Sequence, residues 1–107
     1  MPAAIEAERA ILGACMLTGQ APEIQADAFY HERHQLIAAA IQQMARKGIP
    51  IDLLTVWQAL HTGDQLNAAG GAVYLAELLE VVPNADNLRI YEQIVQQKYH
   101  QRQIMAS

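Results

Sequence analysis

The chain is 107 residues long, 52% hydrophobic and 17% charged, with a formal charge of −4. That composition excludes a disordered charged tail, and the length leaves room for one core but not for a two-domain enzyme. The acidity argues against autonomous binding of DNA phosphates, and the single cysteine excludes an internal disulfide or a cysteine-based zinc site, as suits a reducing cytosol.

The opening Met1-Pro2-Ala3-Ala4-Ile5-Glu6 has no basic region ahead of an apolar run, so it does not read as a secretory signal. No stretch reaches the ~20 apolar residues of a membrane span. The expectation is a cytoplasmic domain with no membrane contact.

Ile5, Leu12, Cys15 and Met16 lie at helical spacing and predict a first helix over residues 4–17, with Glu6, Glu8 and Arg9 interrupting the apolar run. Thr18-Gly19-Gln20-Ala21-Pro22 stops it. A short turn over residues 23–26 follows, and Asp27 is placed to cap the next turn, which holds Phe29 and Tyr30. Residues 31–47 form the clearest helix, with a stripe of Leu36, Ile37, Ala40, Ile41 and Met44. Arg46 and Lys47 complement its dipole and Gly48 terminates it. Ile49-Pro50-Ile51 is extended. Asp52 is the N-cap of the next helix, with Ile51 stapled onto Val56 and with Leu53, Val56, Trp57 and Leu60 facing inward. That helix ends by Thr62-Gly63-Asp64. After a connector through Gly70-Gly71, a helix is predicted over residues 72–82. Pro83-Asn84 breaks the chain, and a last helix runs from 85 to the end. The sum is an all-α, compact orthogonal bundle of five or six short helices, forming a single domain over residues 1–107.

Chemistry is sparse. No G-x-x-x-x-G-K-[ST] loop is present, so this chain is not expected to bind or hydrolyse ATP. His31 and His34 stand one turn apart, a spacing that zinc sites use, but no third ligand is evident nearby; a surface His31 and a packed His34 are expected. Cys15 sits in an apolar stripe and reads as a buried thiol, and Glu77 and Glu80 read as solvated. Trp57 and Tyr74 are either interaction anchors or core, with core favoured for Trp57. No catalytic, cofactor-binding or metal residues are expected.

The order of short motifs is more specific than any one of them. Ile5-Glu6-Ala7-Glu8-Arg9-Ala10-Ile11-Leu12-Gly13 resembles the opening I-E-A-E-x-[AS]-[VI]-L-G of the DnaB-type bacterial replicative helicases. Phe29-Tyr30 with His34, then Gly48-Ile49-Pro50-Ile51-Asp52-Leu53-Leu54-Thr55-Val56, then Gly70-Gly71-Ala72-Val73-Tyr74-Leu75-Ala76-Glu77-Leu78, then Pro83-Asn84-Ala85-Asp86-Asn87 and Tyr91 with Ile94-Val95 continue the resemblance in order along the whole chain. It is to the family's N-terminal domain. Residues 18–26 are shorter than usual, which reduces the second helix to a turn. Gly13 would admit a close helix neighbour.

The resemblance implies a non-catalytic collar domain of a hexameric helicase. It implies self-association as dimers and a trimer of dimers, and contact with the primase C-terminal domain and with a helicase loader. ATP and Mg²⁺ would belong to the family's helicase domain, outside this sequence. Carried over by position, partner-interface candidates are Tyr74, Tyr91, Ile104 and Met105, with Tyr74 wetting its hydroxyl and sharing an apolar patch with the end of the last helix. The alternative is a helix-turn-helix DNA-binding module built on residues 52–60 and 72–82. The latter segment has no basic residue to reach phosphates, and the former offers only Gln58.

Overall fold

A computed structural model describes residues 2–106. Among them are five α-helices and two single-turn 3₁₀ segments, with no strand: α1 (Pro2–Thr18), α2 (Glu32–Arg46), α3 (Leu53–Thr62), α4 (Gly71–Glu80) and α5 (Leu88–Ala106), with 3₁₀ turns at Ala26–Ala28 and Ala85–Asn87. The all-α expectation holds. Met1 and Ser107, at the two ends of the single domain expected over 1–107, lie outside the described residues.

Helix α1 is the axis of the bundle. It packs on α5, α4, α2 and α3, whereas α2 meets α3, and α3 meets α4. Its central residues explain why: Ile11, Leu12, Ala14 and Cys15 are fully buried and Ala10 and Met16 nearly so, so this helix is apolar around its whole girth rather than along one stripe. Phe29, Ile37, Ile41, Val56, Leu60, Leu75, Leu78 and Val95 close around it in one core. The radius of gyration is 12.9 Å, close to the ~13 Å of a compact domain of about 100 residues.

The boundaries follow local chemistry. Asp52 caps α3 as expected: its carboxylate accepts the Thr55 N–H at 2.9 Å, and Thr55 Oγ1 accepts the Asp52 N–H at 2.9 Å, a reciprocal capping box. Asp52→Ala should therefore cost about 1 kcal/mol, measured as a shift in the urea midpoint. An unchanged midpoint would show that the box contributes nothing. Ile51 and Val56 are both buried in the common core, as a staple requires. Gly48 is left-handed at φ 72°, and the Ile49 N–H returns to the Met44 carbonyl at 2.9 Å, ending α2.

Four expectations need correction. Asp27 lies inside the first 3₁₀ turn and does not cap; α2 begins at Glu32 after His31, whose side chain makes no capping bond. The buried face of α2 is His34, Ile37, Ala38, Ile41 and Met44, rotated from the predicted stripe, with Leu36 and Ala40 half-buried. Trp57 is only half-buried: it stacks on His61 at 5.0 Å and lines an open groove with Leu53 and Leu54. The last helix also starts later than residue 85. Asn84 accepts the Asp86 N–H at 2.9 Å to cap a 3₁₀ turn, from which α5 continues.

Candidate functional site

The first and fourth helices and the start of the second meet around a buried polar chain. Glu8 is 1% exposed and His34 0% exposed, a placement that strands a carboxylate unless every oxygen is used. One Glu8 oxygen accepts the Tyr30 N–H at 2.6 Å; the other accepts His34 Nδ1–H at 2.7 Å and lies 3.5 Å from the His31 N–H. The carboxylate thereby satisfies the backbone at the entry to α2, where the His31 side chain supplies no cap. Because the carboxylate accepts, Nδ1 carries the imidazole proton. Nε2 faces the Tyr74 hydroxyl at 2.5 Å, which donates to it. The chain Glu8–His34–Tyr74 thus joins α1, α2 and α4 from core to surface.

Tyr74 is the outer end. Its ring lies nearly parallel to His34, at 18° and 5.9 Å between centroids. The Arg33 guanidinium sits 4.6 Å from the ring centroid on a cation–π contact. Gly70 makes room for this ring, since a Cβ there would come within 2.9 Å of it. Burial pushes the Tyr74 phenol above its ordinary range, against the pull of Arg9 and Arg33, and Glu77 adds to the rise. The Tyr74 hydroxyl bonds to His34 Nε2 while the residue as a whole stays half-buried.

Around Tyr74 lies a cleft of about 400 Å³ lined by Ile5, Arg9, His31, Arg33 and His34. A second groove of about 290 Å³ begins on the other side of Ile5, lined by Tyr30, Lys98, Arg102 and Met105. Arg102 donates to the Ala28 carbonyl at 3.1 Å and stands over the rings of Tyr30 and Tyr99, which pins α5 to the first 3₁₀ turn. Among the four interface candidates, Tyr74 and Met105 thus reach adjoining grooves that share Ile5. Ile104 is exposed next to Met105. Tyr91 lies elsewhere: it is half-buried against the core, and its hydroxyl accepts the Asn84 N–H at 3.2 Å. Helices α4 and α5 do not pack on each other among the described residues. The single apolar patch expected from Tyr74 and the tail is replaced by two grooves on either side of α1, the first of them basic.

Glu8 and Arg9 are the residues that sequence reasoning missed. A signal existed: Glu8 lies three residues after Ile5 and four before Leu12, on the stripe itself. Elsewhere, Cys15 is buried and its thiol is pushed up to about 12, chiefly by burial and further by the Glu92 carboxylate. Glu92 is a second buried carboxylate; it accepts the Glu23 N–H at 2.8 Å and pairs with Arg89 at 2.9 Å. No group of three or more potential metal ligands gathers among the described residues. No described helix is long and apolar enough to cross a membrane.

Comparison with known proteins agrees with this architecture. The fold and the Glu8–His34–Tyr74 junction define an all-helical module with a cleft beside Tyr74. The chain belongs to the family described as the DnaB-like helicase N terminal domain, which matches residues 1–97. A replicative DNA helicase DnaB of Haemophilus influenzae is 39% identical over 110 aligned positions, covering 98% of this chain and 24% of the relative. The chain thus spans about a quarter of the length of that relative. The crystal structure of the N-terminal domain of DnaB helicase from Mycobacterium tuberculosis superposes with a TM-score of 0.86 at 30% identity, over 94% of this chain and 76% of that one. A DnaB-like replicative helicase described with its interactions with primase superposes with a TM-score of 0.82 at 25% identity, over 94% of this chain and 25% of that one.

Proposed function

We propose that these 107 residues act as the non-catalytic assembly and protein-recognition domain of a hexameric replicative DNA helicase, and that the Tyr74 face binds the C-terminal domain of primase. The observation that carries the reading is the Tyr74 cleft: a half-buried aromatic ring held in place through His34 by Glu8, lining a cleft with Ile5 and Arg9 of α1. Such a rigid, half-buried tyrosine is the usual anchor of a protein interface. The likeness to a helicase described with its primase interactions points to the class of partner. Self-association as dimers and a trimer of dimers, contact with a loader, and a cytoplasmic location belong to the same reading. So does the absence of enzymatic activity from these residues: ATP, Mg²⁺ and unwinding belong to the helicase domain of a full-length protein. Direct DNA binding fits α4 poorly, because its exposed positions are Ala72, Val73, Ala76, Glu77 and Glu80, and the two glutamates would repel phosphates.

The test is primase binding by calorimetry. Tyr74→Ala should weaken the complex about tenfold or more, in line with loss of a central aromatic anchor, while the domain stays folded by circular dichroism. Tyr74→Phe should bind within about threefold of the parent, because the hydroxyl it loses faces His34 rather than the partner. A folded Tyr74→Ala variant with parental affinity would refute the assignment. A salt-sensitive mobility shift with duplex DNA would favour the helix-turn-helix alternative.

A further inference from the structure

The rim of the Tyr74 cleft inverts the sign of the domain around it. The chain carries eleven acidic and seven basic residues, yet both charged side chains lining this cleft are arginines. Arg33 forms no salt bridge among the described residues; its guanidinium stands 4.6 Å from the Tyr74 ring centroid and interacts with the phenol. Arg9 stands on the α1 side, and its Nε is buried without a hydrogen-bond partner in the structure. Its one ion pair is with the largely exposed Glu6 at 3.5 Å, which solvent screens. Glu8, the carboxylate nearest the floor, is already committed to Tyr30, His31 and His34. The cleft therefore offers donors and no free acceptor of equal strength.

We infer that Arg9 and Arg33 form a carboxylate-recognition site that takes one acidic side chain of the bound protein partner, seated beside the Tyr74 ring. Two guanidinium forks present planar, paired N–H donors that match a carboxylate, and the ring contact of Arg33 and the partial burial of Arg9 lower the ordering cost of the contact. A protein side chain fits better than a nucleic acid strand. Glu6, paired to Arg9, and Glu77, close enough to act on the Tyr74 phenol, flank the cleft, so the successive phosphates of a strand would be repelled where a single carboxylate would not. The site also turns a local patch of an acidic domain into an attractive target for an acidic partner surface, which speeds encounter at low salt.

This inference rests on the reading that the partner binds over Tyr74, and the experiment separates the two. Affinity for the primase C-terminal domain is measured at low and high salt for the parent chain, the double variant Arg9→Gln/Arg33→Gln, and Tyr74→Ala, each with its melting curve. Glutamine is shorter than arginine but keeps its aliphatic stem and a polar, uncharged end at positions that are not fully buried, so the double variant should stay folded. The expected result is a loss of about tenfold or more in the double variant with a flattened salt dependence. Lysine at both positions should restore the salt dependence but only part of the affinity, since it lacks the fork. If the double variant binds as the parent does at both salts while Tyr74→Ala is weakened, the carboxylate site is wrong and the primase reading survives. If neither variant is weakened, both fall. If a single-stranded oligonucleotide binds the parent chain and the double variant loses it, the ligand is phosphate and the carboxylate assignment is overturned.

Discussion

Glu8→Ala should cost about 2–4 kcal/mol, because it removes the acceptor of two donors at about 1–3 kcal/mol for each one left buried and unpaired, against a total stability of about 5–15 kcal/mol for a domain of this kind. The alanine would leave His34 Nδ1 and the Tyr30 N–H buried without an acceptor, since the carboxylate is the partner of both. It would also leave a void on the buried face of α1, one turn before Leu12. Glu8→Gln keeps the volume but replaces one acceptor oxygen with a donor, so two donors compete for one oxygen and the cost should be intermediate. Urea unfolding followed by circular dichroism gives the values. A loss of under about 1 kcal/mol in Glu8→Ala would mean that the chain from Glu8 to Tyr74 does not hold the three helices together. The penalties of Glu8→Ala and His34→Ala should not add, because each removes the same interaction.

Gly13→Ala is the second large effect, and its sign is diagnostic. In an isolated helix, alanine in place of glycine stabilises by about 1 kcal/mol. Here a Cβ on Gly13 would overlap the Leu78 carbonyl oxygen and the Val82 side chain, with the Leu78 carbonyl carbon 3.0 Å away. Backbone cannot move aside as a side chain can, so α1 and α4 must separate. We expect a net destabilisation of about 3 kcal/mol, the upper end of ordinary overpacking costs. A variant that melts higher than the parent would place α4 elsewhere. Because Tyr74 rides on α4, the same variant should also disturb the Tyr74–His34 contact, visible as altered His34 ring resonances by NMR.

The helices were legible because they are written in local terms. Asp52 and Thr55 stand three apart, and Gly48 follows a run of apolar residues ending at Met44; each feature sets its boundary through neighbours in sequence. Gly13 was legible through the resemblance, as a position that admits a close helix neighbour. The first 3₁₀ turn was harder. Asp27 has the chemistry of a cap, but the backbone entering α2 is served by Glu8, 22 residues away from Tyr30, and no local rule reports that. Trp57 failed in the opposite direction: its position on the α3 wheel is inward, but the groove beside it stays open because no helix covers that end.

The candidate site was half legible. Tyr74 and Met105 were picked out through a resemblance, and the structure gives them neighbours that the resemblance did not. Periodicity treats a charged residue on an apolar stripe as an interruption, whereas at Glu8 it is a demand for partners. The partners are His34, 26 residues on, and through it Tyr74, a further 40 residues on. Separations of that size are set by how helices stack, and they become visible only once α1, α2 and α4 are placed together.

The layering of this cleft has a consequence for how such a domain can change over generations. Its floor is interlocked: altering Glu8 or His34 singly orphans a buried partner, so single-step substitutions there are closed off by lost stability. Its rim is not. Arg33 is exposed and contacts the ring at 4.6 Å from its centroid, and the ion pair of Arg9 among the described residues is with an exposed glutamate. Either could be exchanged without disturbing the core. A lineage could therefore rewrite the charge its partner must carry while leaving the aromatic anchor in register, and partner preference could diverge faster than the fold that displays it.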